Sequence, residues 1–117
     1  MISEISEEDR RILVLAAKAS GVLHPSWYDS ESYIDGMLER WNPRDSNADS
    51  FDLIARLAIK VEYEWCGMND QYDVVRATKG NISEWEQIGF QGNYYYPEDR
   101  GTRLSVLAVA AKIGERM

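Results

Sequence analysis

The spacing of apolar and polar residues changes abruptly at residue 59. From there Ile59, Val61, Tyr63 and Trp65 alternate with Lys60, Glu62 and Glu64, the two-residue repeat of a strand with one apolar and one charged face. Just before it, Ala48, Phe51, Ile54, Ala55 and Ala58 recur at steps of three and four, which predicts a helix burying that face. Ser46 stands three residues before Asp49, the spacing of a capping box, and Pro43 disfavours helical backbone at Asn42. The helix is therefore expected to begin near Ser46, with Asp52 and Arg56 paired one turn apart on its polar side.

The flanking pattern supplies the other elements. Residues 3–20 read as a first helix: Ser6 precedes Asp9 by three, Glu7, Glu8 and Asp9 suit the positive helix end, and Gly21 stops it. Its apolar residues Ile5, Ile12, Leu15, Ala16 and Ala19, widened by Leu13 and Val14, are expected against a sheet. Residues 22–28 and 33–34 flank a turn-like 29–32 and suggest two short strands, the first at an edge because Pro25 cannot donate to a ladder. Met37, Leu38 and Trp41 lead back to the second helix, with Trp41 expected in the core. After a turn at 66–71, residues 72–78 return as the partner of the 59–65 strand; in 82–88 the spacing of Ile82, Trp85 and Ile88 suits a short helical turn, and a further strand is the favoured reading. Residues 89–96 form a Gly- and Tyr-rich connection. Pro97, Glu98 and Asp99 open a last helix with Leu104, Leu107, Ala108 and Ala111 on its apolar face, expected to fray from Gly114.

These elements describe a single α+β domain over residues 1–117, a mainly antiparallel sheet of about three to five strands packed by three helices. Charge then narrows the partners. With 20 acidic against 13 basic residues and a net charge of −7, the chain repels a nucleic-acid backbone, so direct nucleic-acid binding is not expected. No apolar run spans a bilayer and the N-terminus lacks a signal-peptide pattern, so a cytoplasmic protein without membrane contact is expected. The lone Cys66 allows no intrachain disulfide and fits a reducing compartment.

Trp41-Asn42-Pro43, followed by Asp45, Asp49 and a helix carrying Arg56-Leu57-Ala58 before a strand, resembles the phage ABA-sandwich domain family of small phage and prophage proteins. The alanine-rich closing helix over 103–113 also suits that group, whereas Ser46-Asn47-Ala48 and the long Tyr-rich stretch at 90–96 depart from it. The resemblance implies a phage-type origin and α/β/α layering, and it brings no activity. Lys60, Glu62 and Glu64 sit awkwardly with that layering, because a sheet covered on both faces would have to bury them.

Several constellations bear on chemistry. Asp45-Ser46-Asn47-Ala48-Asp49 begins with the alternating oxygen ligands of a calcium loop, but Ser50 replaces the required Gly and Arg56 stands where a bidentate carboxylate belongs, so capping is the better reading. His24 and Cys66 are the only residues of their kinds, too few for a zinc site. Glu62 and Glu64 share a strand side and with Asp73 would make a carboxylate cluster of the sort used in acid–base chemistry, although such a row is more often a solvated face. Tyr94, Tyr95 and Tyr96, with Phe90 and Trp85, would make an aromatic binding surface.

The favoured functional reading is a non-enzymatic, phage-type accessory protein that binds a basic host or phage protein through Glu62, Glu64 and the Tyr94–Tyr96 run, with Trp41, Asn42, Pro43, Asp45 and Asp49 as a structural motif. Such an acidic surface could imitate DNA toward a nucleic-acid-handling factor. No cofactor or metal is called for in this reading. The alternative is a small-ligand or divalent-metal enzyme using carboxylates such as Asp45, Asp49 and Asp52. A third is self-association into a homo-oligomer through an edge strand.

Overall fold

A computed structural model of the chain describes residues 6–21, 25–28, 31–34, 39–65, 73–91 and 93–117. Ile5, residues 22–24, 29–30, Met37, Leu38 and residues 66–72, all given places from sequence, lie outside the described residues, His24 and Cys66 among them. Helix α1 (Glu7–Ser20) opens on Ser6, whose Oγ accepts from the Asp9 N–H at 3.1 Å, and closes on Gly21 in left-handed backbone. Strands β1 (Pro25–Tyr28), β2 (Glu31–Ile34) and β3 (Glu39–Arg40) form a small antiparallel sheet in that order, with Pro25 at the start of an edge strand. Helix α2 (Asn47–Leu57) is capped by Ser46, which accepts from the Asp49 N–H at 3.2 Å. It ends on Ala58 at φ 52°, and the sharp turn feeds β4 (Lys60–Glu64) directly. Strand β4 pairs with β5 (Val74–Lys79), which pairs with β6 (Ile82–Gln87), both antiparallel. Strands β7 (Gly89–Gln91) and β8 (Tyr94–Tyr96) make a separate hairpin that leads into α3 (Glu98–Glu115).

The α+β class holds, with the described strands divided among three antiparallel sheets instead of one. Helix α3 is the element the others contact: it lies on β5 and β6, receives α1 along its opposite side, and carries α2 as well. Residues directly opposite each other in antiparallel strands share a face. Val61, Ala77 and Glu84 make one inward row and Tyr63, Val75 and Glu86 the next. The Tyr63 hydroxyl meets Thr102 Oγ1 at 2.8 Å and Glu84 pairs with Lys112, which fixes α3 over this face. Val75 and Ala77 beneath it are fully buried.

Four expectations change. Helix α1 packs mainly on α3, with a smaller contact to β1, so the β4–β5–β6 sheet carries α3 and α3 carries α1, an order different from the α/β/α layering implied by the resemblance. The outer face of the sheet stays open among the described residues, which agrees with its charged side chains. In α2 the inward stripe is Ser50 and Leu53, which are buried, with Ile54 and Leu57 partly buried, while Ala48, Phe51, Ala55 and Ala58 are exposed. Leucines bury far more apolar area than alanines, so the helix rotates to bring Leu53 and Leu57 inward. Residues 89–96, read as a connection, form the β7–β8 hairpin.

The fourth change concerns Gly114, which does not mark a frayed end. It is buried against α1, where an added Cβ would lie 2.0 Å from the Leu15 carbonyl oxygen. At the other end of α3, a Cβ on Gly101 would lie 2.5 Å from Ile88 Cγ2. A side-chain methyl can shift and a helix backbone cannot. Gly114→Ala should therefore cost about 1–3 kcal/mol and more than Gly101→Ala, lowering the melting temperature by roughly 3–6 °C per kcal/mol. Thermal unfolding of both variants checks this, and a Gly114→Ala protein melting with the parent would refute the close approach.

Candidate functional site

The Trp41-Asn42-Pro43 segment is buried and works as a polar knot between helices. The Asn42 N–H donates to Asp49 Oδ2 at 2.8 Å and its side-chain amide donates to Asp45 Oδ2 at 2.9 Å, while Asn42 Oδ1 accepts from the Arg44 N–H. Arg44, only 12% exposed, reaches Asp9 of α1 at 2.7 Å and Asp45 at 2.7 Å. Arg103 of α3 donates to the Arg44 carbonyl at 2.9 Å and to Asn47 Oδ1 at 2.6 Å. Burial alone would raise the Asp45 pKa, but hydrogen bonds from Arg44 and Asn42 and the charges of Arg44 and Arg103 outweigh it and hold the carboxyl below its ordinary value. Burial likewise pulls Arg44 down, and Asp45 and Asp9 more than restore it. The carboxylates of Asp45 and Asp49 thus act as hydrogen-bond acceptors within the loop.

Glu62 and Glu64 lie on the open outer face of β4. Arg76 sits directly opposite Glu62, and it binds Glu64 at 2.8 Å; Glu62 pairs with Lys60 at 3.4 Å. The Arg76 hydrogen bond holds Glu64 below the usual carboxylate range. Asp73 is buried and shares the Val75 face by register, whereas Glu62 and Glu64 lie on the outer face, so the three carboxyls are not brought to one side. A general acid needs a raised pKa, and Glu64 has the reverse.

The Tyr run divides. Tyr94 and Tyr95 are 62% and 44% exposed on the β7–β8 hairpin, and Tyr96 is half-buried. Phe90 and Tyr95 lie opposite each other with ring centroids 4.9 Å apart, and the Tyr94 and Tyr96 rings meet at 4.5 Å in a tilted arrangement. The Tyr95 hydroxyl donates to Glu98, a bond that raises its pKa and keeps it protonated. Tyr96 continues into a groove of about 240 Å³ between β6 and α3, walled by Trp85, Glu86, Gln87, Arg100 and Leu104. Trp85 belongs to the outer-face row Glu62–Arg76–Trp85, and two strand spacings of about 4.8 Å separate its ends. Glu62 and Glu64 are therefore at one edge of the sheet and the Tyr-lined groove at the other.

Sequence reasoning missed this groove and the tying role of Arg44 and Arg103. The Gly92-Asn93 dipeptide between aromatic residues was the available hairpin signal. Locally Arg103 is marked only by Asp99 one turn before it, at 3.2 Å; the partners that tie it to the loop lie more than fifty residues away. Among the described residues no group of three His, Cys, Asp or Glu is gathered to hold a metal ion, and no helix is long and apolar enough to cross a membrane. The chain matches no protein-family model, no curated protein and no solved structure.

Two outcomes follow from the knot. A carboxyl with a depressed folded pKa contributes stability above its unfolded value, near 3.9, and loses it as pH falls through the folded one. Asp45→Asn should thus be less stable than the parent at pH 7, by about 0.5–1 kcal/mol, because the half-exposed carboxylate is screened by water. The gap should narrow below about pH 4 in urea titrations; a gap constant from pH 7 to pH 2 would show that the charge is not what the loop uses. Because Asp45 and Asp49 already accept hydrogen bonds, millimolar calcium, magnesium or manganese should leave the melting temperature unchanged, and a saturable upward shift would restore the metal reading.

Proposed function

We propose that this protein is a non-enzymatic, phage-type accessory protein that works by binding another protein through an acidic surface studded with aromatic residues. One observation carries the reading. Of the nine aromatic residues whose burial is described, Trp41 alone joins the buried hydrophobic core. Phe51, Trp65, Trp85, Phe90 and Tyr94 are each more than half exposed, at 69%, 61%, 54%, 58% and 62%. Large aromatics left in water cost solvation without stabilising the fold, and they are the side chains that dominate protein interfaces.

Trp85, Tyr96 and Tyr94 make a continuous run along the groove and hairpin, the natural centre of such an interface. The net charge of −7 favours a basic partner and accelerates its approach, and it disfavours nucleic acid. The resemblance of the Trp41-Asn42-Pro43 segment supports a phage-type setting, in which a basic host or phage protein is the partner.

The test is capture of partners from bacterial lysate on tagged protein at low and moderately high salt. A basic protein should be retained at low salt and released at high salt, because exposed charge contacts are screened over about 8–10 Å near physiological ionic strength. The variant Tyr94→Ala/Tyr95→Ala with Glu62→Lys/Glu64→Lys should lose it. Retention by that variant would refute this surface.

A further inference from the structure

Lys79 lies directly opposite Ile82, so the β5–β6 hairpin turns through only Gly80 and Asn81. A two-residue hairpin closes on a hydrogen-bonded pair, and hydrogen-bonded pairs then alternate along the ladder. Ile82, Glu84 and Glu86 therefore spend their backbone groups on β5. Ser83, Trp85 and Gln87 turn theirs outward. Among the described residues no strand pairs with that side of β6, and all three are exposed.

We infer that this edge takes up an extended segment of a partner protein by strand addition, with a cationic side chain opposite Glu86 and an apolar one opposite Trp85. This rests on the interaction reading above and specifies its partner. An added strand would satisfy the outward N–H and C=O groups of Ser83, Trp85 and Gln87, the mode in which sheet edges recognise peptides. Its residue opposite Trp85 would face the open side of the sheet and pack on the indole. The next residue would face inward, beside Glu86 and over the groove floor at Leu104.

Charge selects the occupant. Lys112 already answers Glu84, whereas among the described residues no cation lies within salt-bridge distance of the half-buried Glu86. Arg100 stands on the helix wall of the groove, outside the cross-strand row, so the nearest strand neighbour of an incoming side chain is the carboxylate. The same carboxylates oppose a second copy of the chain. A two-fold pairing centred on Trp85 sets Glu84 against Glu86 of the other copy, and one centred on Glu84 sets it against itself; like charges directly opposite destabilise a sheet.

The probes are two capped octapeptides of alternating Thr and Val, one with a central Lys and one with a central Glu, labelled for fluorescence anisotropy. The Lys peptide should bind about five-fold tighter than the Glu peptide, and Glu86→Lys should reverse the order. Ser83→Pro/Gln87→Pro removes two outward N–H groups while leaving the β5 ladder intact, and it should abolish binding of both peptides at an unchanged melting temperature. If that variant does not fold, the Glu86→Lys reversal decides. Equal affinity for the two peptides, no reversal, full binding by the proline variant or no binding of either peptide at millimolar concentration would each overturn the edge site. A lysate partner kept by the proline variant yet lost on Tyr94→Ala/Tyr95→Ala would remove the edge and leave the interaction reading standing.

Discussion

The structure depends on how closely α3 can approach its neighbours. Val106, Val109 and Ala110 are fully buried, and Gly101, Ser105, Leu107, Ala111 and Gly114 are nearly so, which leaves little of the helix facing water. A helix buried on several sides cannot use one apolar stripe, and its packing partners meet backbone where glycine stands. Gly101 admits the sheet at Ile88 and Gly114 admits α1 at Leu15, near opposite ends of the same helix. Remove that small-residue surface and neither the sheet nor the first helix has a partner to bury against.

Around this apolar contact lies a polar one of different character. Asn42, Arg44 and Arg103 join the segment before α2 to α1 and α3 through hydrogen bonds with near-ideal lengths, and both guanidinium groups are mostly withdrawn from water. Such groups contribute modest net stability and a large penalty when broken, so they specify the helix arrangement more than they strengthen it. Trp41 is buried beside them, alone in the core among the nine aromatic residues whose burial is described.

Local chemistry made most elements legible in the sequence. Both Ser caps, the alternating β4, its pairing with β5 and the opening of α3 at Pro97 follow from spacing alone, and each appears with the expected partners. What was not legible depended on contacts distant in sequence. The phase of α2 turned on which stripe met α3, and Gly114 looked like a helix terminator because nothing nearby in sequence announces Leu15. The paired state of Glu64 likewise required knowing that Arg76 stands across the ladder. The division of the Tyr run between hairpin and groove followed from the β7–β8 register, which residue spacing does not give.

The position of α3 in the chain also sets an order of events during synthesis. Its contacts with α1 and with β5 and β6 cannot form until the last described helix has been made, although the elements it covers precede it. Until then Val75, Ala77 and Ile82 have no cover on their inward face, and the Leu13–Ala16–Ala17 side of α1 has none either. Closing contacts this distant in sequence is slow compared with forming helices and hairpins. The nascent chain therefore passes through a stage with a formed but uncovered sheet, in which the charged outer face of β4 and the inward carboxylates of β6 defend it against pairing with its neighbours.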